Sequence, residues 1–337
     1  MSQAKKKRTI SKSVEKAPGL EATDRDRRGR WTAVIIASVV IAVILSIVGV
    51  FYYQENVAPF RRTIITVDDT SIDLGYFIKR ARLSGASSFT MLSVLTDEQI
   101  IKLEAPRYVG EISPEEIDQG LRIIASQGSG NITDSEFKEW YRQQLNETKF
   151  SDSEFREIVA TSLLAARLHE YLAERISTVA EQIHLHAILL EMYEDAEKVR
   201  ARWEAGEDFA DLAREVSLDE QTREEGGDIG WFPRGVLDYG LEYTAFNLST
   251  DNVSVPIPFG VSVPSPDPTQ SSVTQTVYYL LMVSEEAEAR EMDEDSLLVL
   301  QAGILDEWLS QETAFHEVEY NFNSEITAWI EWQLTKQ

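Results

Sequence analysis

Between Arg30 and Glu55 the chain runs for 24 residues without a charge, Trp31 to Gln54, and Val34 to Val50 is dominated by Val, Ile, Ala and Leu. An apolar run of this length has no polar face to give to water. As a helix it reaches about 36 Å at about 1.5 Å per residue, enough to cross a hydrocarbon layer of roughly 30 Å. Trp31 and Phe51-Tyr52-Tyr53 sit at its ends, where aromatic rings favour the membrane interface. The pattern then changes. Thr63 to Val67 is a short β-type run closed by the turn signal Asp68-Asp69, and periodic helical stretches follow. Thr96 with Gln99 has the form of a capping box. Ser113-Pro114-Glu115-Glu116, Thr133 with Glu136, and Ser151 with Glu154 repeat that form. The helix expected over 153–174 places Phe155, Ile158, Val159, Ser162, Leu163, Leu168 and Leu172 near one face. Residues 63–178 therefore read as a mostly helical module entered through one strand.

From Glu181 the periods alternate. Ile183 to Leu190 predicts a strand, Met192 to Ala205 a helix stopped by Gly206, and Asp208 to Val216 a second helix. Gly226-Gly227-Asp228-Ile229-Gly230-Trp231-Phe232 predicts a turn feeding a strand, and 238–247 a helix. Val253 to Pro258 and Thr276 to Ser284 predict two more strands, separated by a Pro- and Ser-rich stretch, 259–272, that reads as an inserted loop. The order β-α-α-β-α-β-β makes an α+β domain over 181–285. A C-terminal helical segment, 287–332, carries Trp308, Phe315, Trp329 and Trp332, and is expected to pack back on the helical module.

Charge decides the orientation of the apolar run. Residues 1–30 hold ten Lys or Arg against four Asp or Glu, while the whole chain carries a net −25. The positive-inside rule makes 1–30 a cytoplasmic basic segment, 31–54 a single-pass transmembrane helix, and the rest an extracytoplasmic body in the cell membrane. A cleaved signal peptide would have a shorter apolar core and a small-residue cleavage site, and no A-x-A pattern follows here. The acidic body argues against nucleic-acid binding. Having no Cys, the chain lacks thiol catalysis, disulfides and thiolate metal sites. Neither a Gly-x-Ser-x-Gly elbow nor a phosphate loop is present. His184 and His186 alternate on one strand face, an arrangement compatible with two metal ligands. No further His lies near them in sequence, so a half-exposed strand pair is the expectation. His169 and His316 read as helix-surface residues, and Glu285 to Glu288 and Asp293 to Asp295 as solvated helix faces.

Several ordered blocks carry a resemblance. They are Gly206-Glu207-Asp208-Phe209-Ala210-Asp211-Leu212-Ala213, Ser217-Leu218-Asp219, Gly226 to Phe232, Ala245-Phe246-Asn247-Leu248, and Val253-Ser254-Val255-Pro256. Residues 181–285 thereby resemble a parvulin-type peptidyl-prolyl cis-trans isomerase. With the anchor and helical segment before them, the layout resembles the SurA and PrsA foldases. The resemblance implies a four-stranded sheet with surrounding helices, no cofactor and no metal ligands. It also implies unfolded or proline-containing polypeptides as partners, with the membrane contacted through 31–54.

Carried over residue by residue, the resemblance puts Asp219 at the family's Cys/Asp position. Leu237, Leu241 and Phe246 fall in the proline pocket. The two family histidines fall on Ala187 and Tyr279. Tyr279 retains a hydroxyl for the polar network. His186 reaches the first histidine's place only if the strand shifts by one residue, which turns a side chain to the opposite face. Two functions follow as expectations. One is an extracytoplasmic isomerase, with Asp219 and Tyr279 shaping the field around the prolyl carbonyl. The other is a catalytically weak or inactive chaperone that only binds unfolded clients.

Overall fold

A computed structural model describes residues 24–128, 131–264 and 272–336, and for 24–36 the backbone alone. Residues 1–23 of the expected basic segment and 265–271 of the expected insertion lie outside the described residues. Helix α1 runs Asp24–Asn56, and every residue of the apolar stretch Ala37–Asn56 is exposed. Its Val, Ile, Leu and aromatic side chains are exposed on every face. By length and composition this helix is able to cross a membrane.

Strands β1 (Thr63–Val67) and β2 (Thr70–Asp73) form a hairpin closed at Asp68, which takes φ +50°. The expected single strand is thus a pair. Helices α2 (Leu74–Ser84), α3 (Ser88–Glu104), α4 (Pro106–Val109), α5 (Pro114–Ala125), α6 (Asp134–Thr148) and α7 (Asp152–Ala173) follow. The capping boxes at Ser113, Thr133 and Ser151 form as expected, each with reciprocal backbone hydrogen bonds. The one at Thr96 does not. Ser87 caps that helix instead, accepting from Thr90 N, so Thr96 lies mid-helix and its hydroxyl donates to the Leu92 carbonyl. An earlier cap wins because it admits two more turns of apolar residues, including buried Met91 and Leu95. On α7, Phe155, Val159 and Leu168 are buried, whereas Ser162 is exposed and bonds back to the Ile158 carbonyl.

The next unit contains β3 (Val179–Leu190), α8 (Tyr193–Glu204), α9 (Phe209–Val216), β4 (Asp228–Pro233), α10 (Tyr239–Ala245), β5 (Ile257–Pro264) and β6 (Ser272–Glu291). The element order is the one expected. The strands make a four-stranded antiparallel sheet, β4-β3-β6-β5. Two boundaries differ. Val253 makes only an isolated bridge to Met282, and β5 begins at Ile257. The described residues of the stretch read as an inserted loop, 259–264 and 272, are strand: Ile257–Pro264 pairs with Ser272–Tyr279 in continuous register. The acidic run Glu285 to Glu288 belongs to the exposed end of β6 rather than to a helix.

Helix α11 (Glu294–Thr313), strand β7 (Val318–Tyr320) and helix α12 (Ser324–Thr335) complete the chain. The final segment returns to the first module, as expected, but not as helix alone. β7 adds to β1, with Ile65 opposite Tyr320, and gives the sheet β2-β1-β7. Leu309 and Ile330 enter the same core as Ile65, Phe77, Leu95 and Leu168. The helical module is therefore built from both ends of the chain, with the four-stranded unit inserted between. His316 is a correction. Its side chain is 7% exposed, lying between Asp68 (Nδ1 to Oδ2, 2.7 Å) and Glu104 (Nε2 to Oε1, 3.9 Å). His169 is half-buried on α7.

Candidate functional site: an apolar surface on the four-stranded sheet

The two faces of the sheet bury different clusters. On β3, Ile183, Leu185 and Ala187 point one way, and Ile188 and Leu190 the other. The second set packs with Ala196 and Val199 of α8 and Phe209, Leu212 and Ala213 of α9. The first set meets Leu281 and Val283 of β6 and is bordered by Phe232, Leu237, Leu241, Phe246 and Tyr279. Leu237, Leu241 and Phe246 are thus gathered on one surface, each half-buried, around Tyr279. Leu241 is carried by α10, Phe246 caps that helix, and Leu237 precedes it.

Register fixes what faces what. Ala187 lies opposite Leu281, and Leu189 opposite Tyr279. Ala187 is 3% exposed on the same face as Tyr279, so a methyl group stands where the resemblance has a histidine. His186 projects to the opposite face, where its ring meets Phe209 of α9. The one-residue shift does not occur, because it would drive Leu185 and Ile188 out of their clusters together. Register shifts interrupt the ladders nearby, between His184 and Leu185 against β6 and between Leu185 and His186 against β4, without turning Ala187 from this face.

Gly226 and Gly227 have physical reasons to be glycine. Both take φ +77°, and a β-carbon on Gly227 would stand 2.4 Å from the Ala187 carbonyl oxygen. The Gly227 carbonyl accepts from Ala187 N at 2.7 Å.

Asp219 reaches the same surface through the backbone. Leu218 N donates to the Leu189 carbonyl at 2.8 Å, and buried Ser217 accepts from Leu189 N and Asp219 N. The Asp219 carboxylate accepts from Gln221 N (3.1 Å) and the Thr222 hydroxyl (2.7 Å), which aims it. Its field is felt by Tyr279. Burial raises the Tyr279 hydroxyl above its ordinary value, and the carboxylates of Asp219 and Asp238 raise it further. Tyr279 is therefore a neutral hydroxyl at physiological pH, able to donate a hydrogen bond. The surface thus combines half-buried apolar side chains with a phenol hydroxyl that feels the Asp219 carboxylate.

Two features were not legible beforehand. Phe259 stands edge-on to Tyr279 (5.6 Å between centroids, 78°) and extends the aromatic wall along the hairpin. The Arg234 guanidinium lies 4.2 Å over the Phe246 ring. The alternation of Phe259, Val261 and Val263 was the available signal, masked by the neighbouring prolines. On the opposite face, Asp228 joins His184 and His186. One ligand atom from each of the three lies within 4.8 Å of the others. A second such group is Glu104, Glu312 and His316.

Residues 187–263 match the family described as rotamase, PPIC-type PPIASE domain. The foldase protein PrsA of Halalkalibacterium halodurans is 35% identical over 160 residues, which is 44% of this chain and 47% of that protein. The foldase protein PrsA of Oceanobacillus iheyensis is 30% identical over 170 residues, 48% of this chain and 54% of that protein. The chain thus spans about half the length of these curated relatives. A crystal structure of peptidylprolyl isomerase (PrsA) from Bacillus cereus aligns at a TM-score of 0.37 with 16% identity, covering 82% of this chain and 92% of that one.

Proposed function

From a chain that carries a PPIC-type, parvulin-like domain similar to those of PrsA foldases, we propose an extracytoplasmic, membrane-anchored folding factor that isomerises X-Pro bonds in unfolded polypeptides. The reading rests on the half-buried surface of Leu237, Leu241 and Phe246 around Tyr279, with Asp219 beside it.

Rotation about a prolyl amide faces about 18–20 kcal/mol, and every 1.36 kcal/mol removed is worth about tenfold in rate. No bond is made or broken, so the surface needs only to favour the twisted amide over the planar one. The apolar trio holds the pyrrolidine ring and sheds its water. Twisting concentrates electron density on the amide nitrogen, while the carbonyl loses its conjugation. A donor and a fixed carboxylate at the edge of a desolvated site respond to that redistribution. Tyr279 is the donor, and Asp219 favours the proton staying on its oxygen. The span α1 tethers the catalytic unit to the bilayer, with the basic flank in the cytoplasm and the acidic body outside.

The test is isomerisation of a proline tetrapeptide by the full chain in detergent. Acceleration is expected, reduced about tenfold or more in Leu241→Ala and severalfold in Tyr279→Phe. Because the phenol is held protonated, the rate should not fall from Tyr279 ionisation below about pH 10. No acceleration by the wild-type chain rejects isomerase activity. One observation favours a second reading in that event: the buried methyl of Ala187 occupies a position where the resemblance has a polar ring. A chain that suppresses client aggregation without accelerating rotation is then a holding chaperone.

A further inference from the structure

The His184–His186–Asp228 group lies on the sheet face away from the apolar surface and plays no part in the proposed isomerisation. His184 and His186 alternate on β3, and Asp228 opens β4 directly opposite His186. His184 Nε2 is 3.1 Å from Asp228 Oδ1. Two ligands of a tetrahedral ion with bonds of about 2.1 Å stand about 3.4 Å apart, so this pair is already spaced for one. The third ligand atom lies within 4.8 Å of both, a gap that side-chain rotation closes.

The surroundings are those of a built site. His184 Nδ1 is 2.9 Å from Ser284 Oγ, which fixes the ring, and Ser284 Oγ is 3.3 Å from the His184 carbonyl. With the Ser284 proton on that carbonyl, Nδ1 carries the imidazole proton and the Nε2 lone pair faces a carboxylate. In that tautomer a cation between them satisfies both groups. Asp228 Oδ1 also accepts from Gly230 N at 2.9 Å. Trp231 stacks on His184 at 5.1 Å and walls one side. His186 Nδ1 is buried without a hydrogen-bond partner among the described residues. A buried imidazole nitrogen with nothing to bond is a cost that a ligand would remove.

We propose that His184, His186 and Asp228 bind a divalent transition-metal ion of the Zn2+ type. Two imidazoles and one carboxylate suit a borderline ion, not Ca2+ or Mg2+, which prefer all-oxygen shells. The half-exposed side chains leave the remaining position for water. The ion ties β3 to β4 next to the Ala187–Gly227 hydrogen bond, and so stiffens the strand whose other face carries the apolar surface.

The test is titration of the tag-free full chain in detergent with Zn2+ by calorimetry, and with Co2+ by visible absorption. One ion per chain is expected, with tetrahedral Co2+ bands and a rise in Tm that a chelator abolishes. His184→Ala and His186→Gln should each weaken binding by about 100-fold, and Asp228→Asn by about tenfold or more. His169→Ala and His316→Ala should leave it unchanged. In the wild-type chain, the ring signals of His184 and His186 should shift together on adding Zn2+, a readout that needs no variant to fold. Absence of one-equivalent binding, unmoved ring signals, or binding that survives His184→Ala with His186→Gln would overturn the proposal.

Discussion

Replacing Gly227 by alanine separates backbone strain from a steric block, and the magnitudes can be worked from the local geometry. At φ +77° an alanine pays about 1–2 kcal/mol for the left-handed conformation. Its β-carbon would lie 2.4 Å from the Ala187 carbonyl oxygen, where ordinary contact begins at 3.4 Å. The obstacle is main chain and cannot rotate away, so the two strands must separate by about 1 Å, which follows from those distances. That movement breaks the 2.7 Å hydrogen bond from Ala187 N to the Gly227 carbonyl, worth about 0.5–1.5 kcal/mol. The total is about 1.5–3.5 kcal/mol, or about 13- to 370-fold at 1.36 kcal/mol per tenfold. Hydrogen exchange over 183–190 reads this directly as faster exchange of the Ala187 amide. Gly206→Ala is the control, because Gly206 also has positive φ (+101°) but meets nothing within 4 Å. It should carry the same conformational cost of about 1–2 kcal/mol, without the added loss of the Ala187 hydrogen bond. Equal effects of the two substitutions would refute the close-approach argument.

Three other outcomes are expected. Asp68 is held below its ordinary 3.8 by the His316 hydrogen bond and the Glu317 amide, and Glu116 and Glu136 are held low by their capping partners, Glu116 also by Arg167. Such carboxylates add stability above the ordinary value and lose it as pH falls through the lowered one, so Tm should hold from about pH 7 to pH 5 and drop below about pH 4. A Tm flat into strong acid would contradict this. Arg80, 9% exposed, bonds Glu98 at 2.5 and 2.6 Å, and Arg80→Met should cost about 1–3 kcal/mol in urea unfolding after allowance for the partial exposure of Glu98. The double variant Arg80→Met/Glu98→Leu should recover part of that, and no recovery would mean that the pair is not the source. Finally, the full chain should stay with membranes through alkaline extraction while a chain lacking residues 1–56 is released. Retention of the shortened chain would remove α1 as the anchor.

The sequence by itself determined whatever depends on near neighbours. The caps at Ser113, Thr133 and Ser151 were readable because each is a contact between residues three apart. The apolar α1 and the order of elements in the four-stranded unit were readable from uninterrupted runs and changes of period. The grouping of Leu237, Leu241 and Phe246 was expected from the resemblance to parvulins alone, not from any period of the chain. Competition between local signals produced the failures at short range. Thr96 lost its cap to Ser87, and prolines around Phe259 concealed a strand arm that its partner in β6 holds straight.

Tertiary structure decided everything that required two distant segments to meet. Pairing of β7 with β1 closes the first module from opposite ends of the chain, and it buries His316 against Asp68, which no periodicity marks. The face taken by Ala187 and His186 was set by simultaneous burial of Leu185 on one side of the sheet and Ile188 on the other. The approach of Asp228 to both strand histidines depends on the β3–β4 register. The physical reason is common to all three. Pairing across long sequence separations is chosen by the total apolar surface buried, a property of the assembled core and not of any window along the chain.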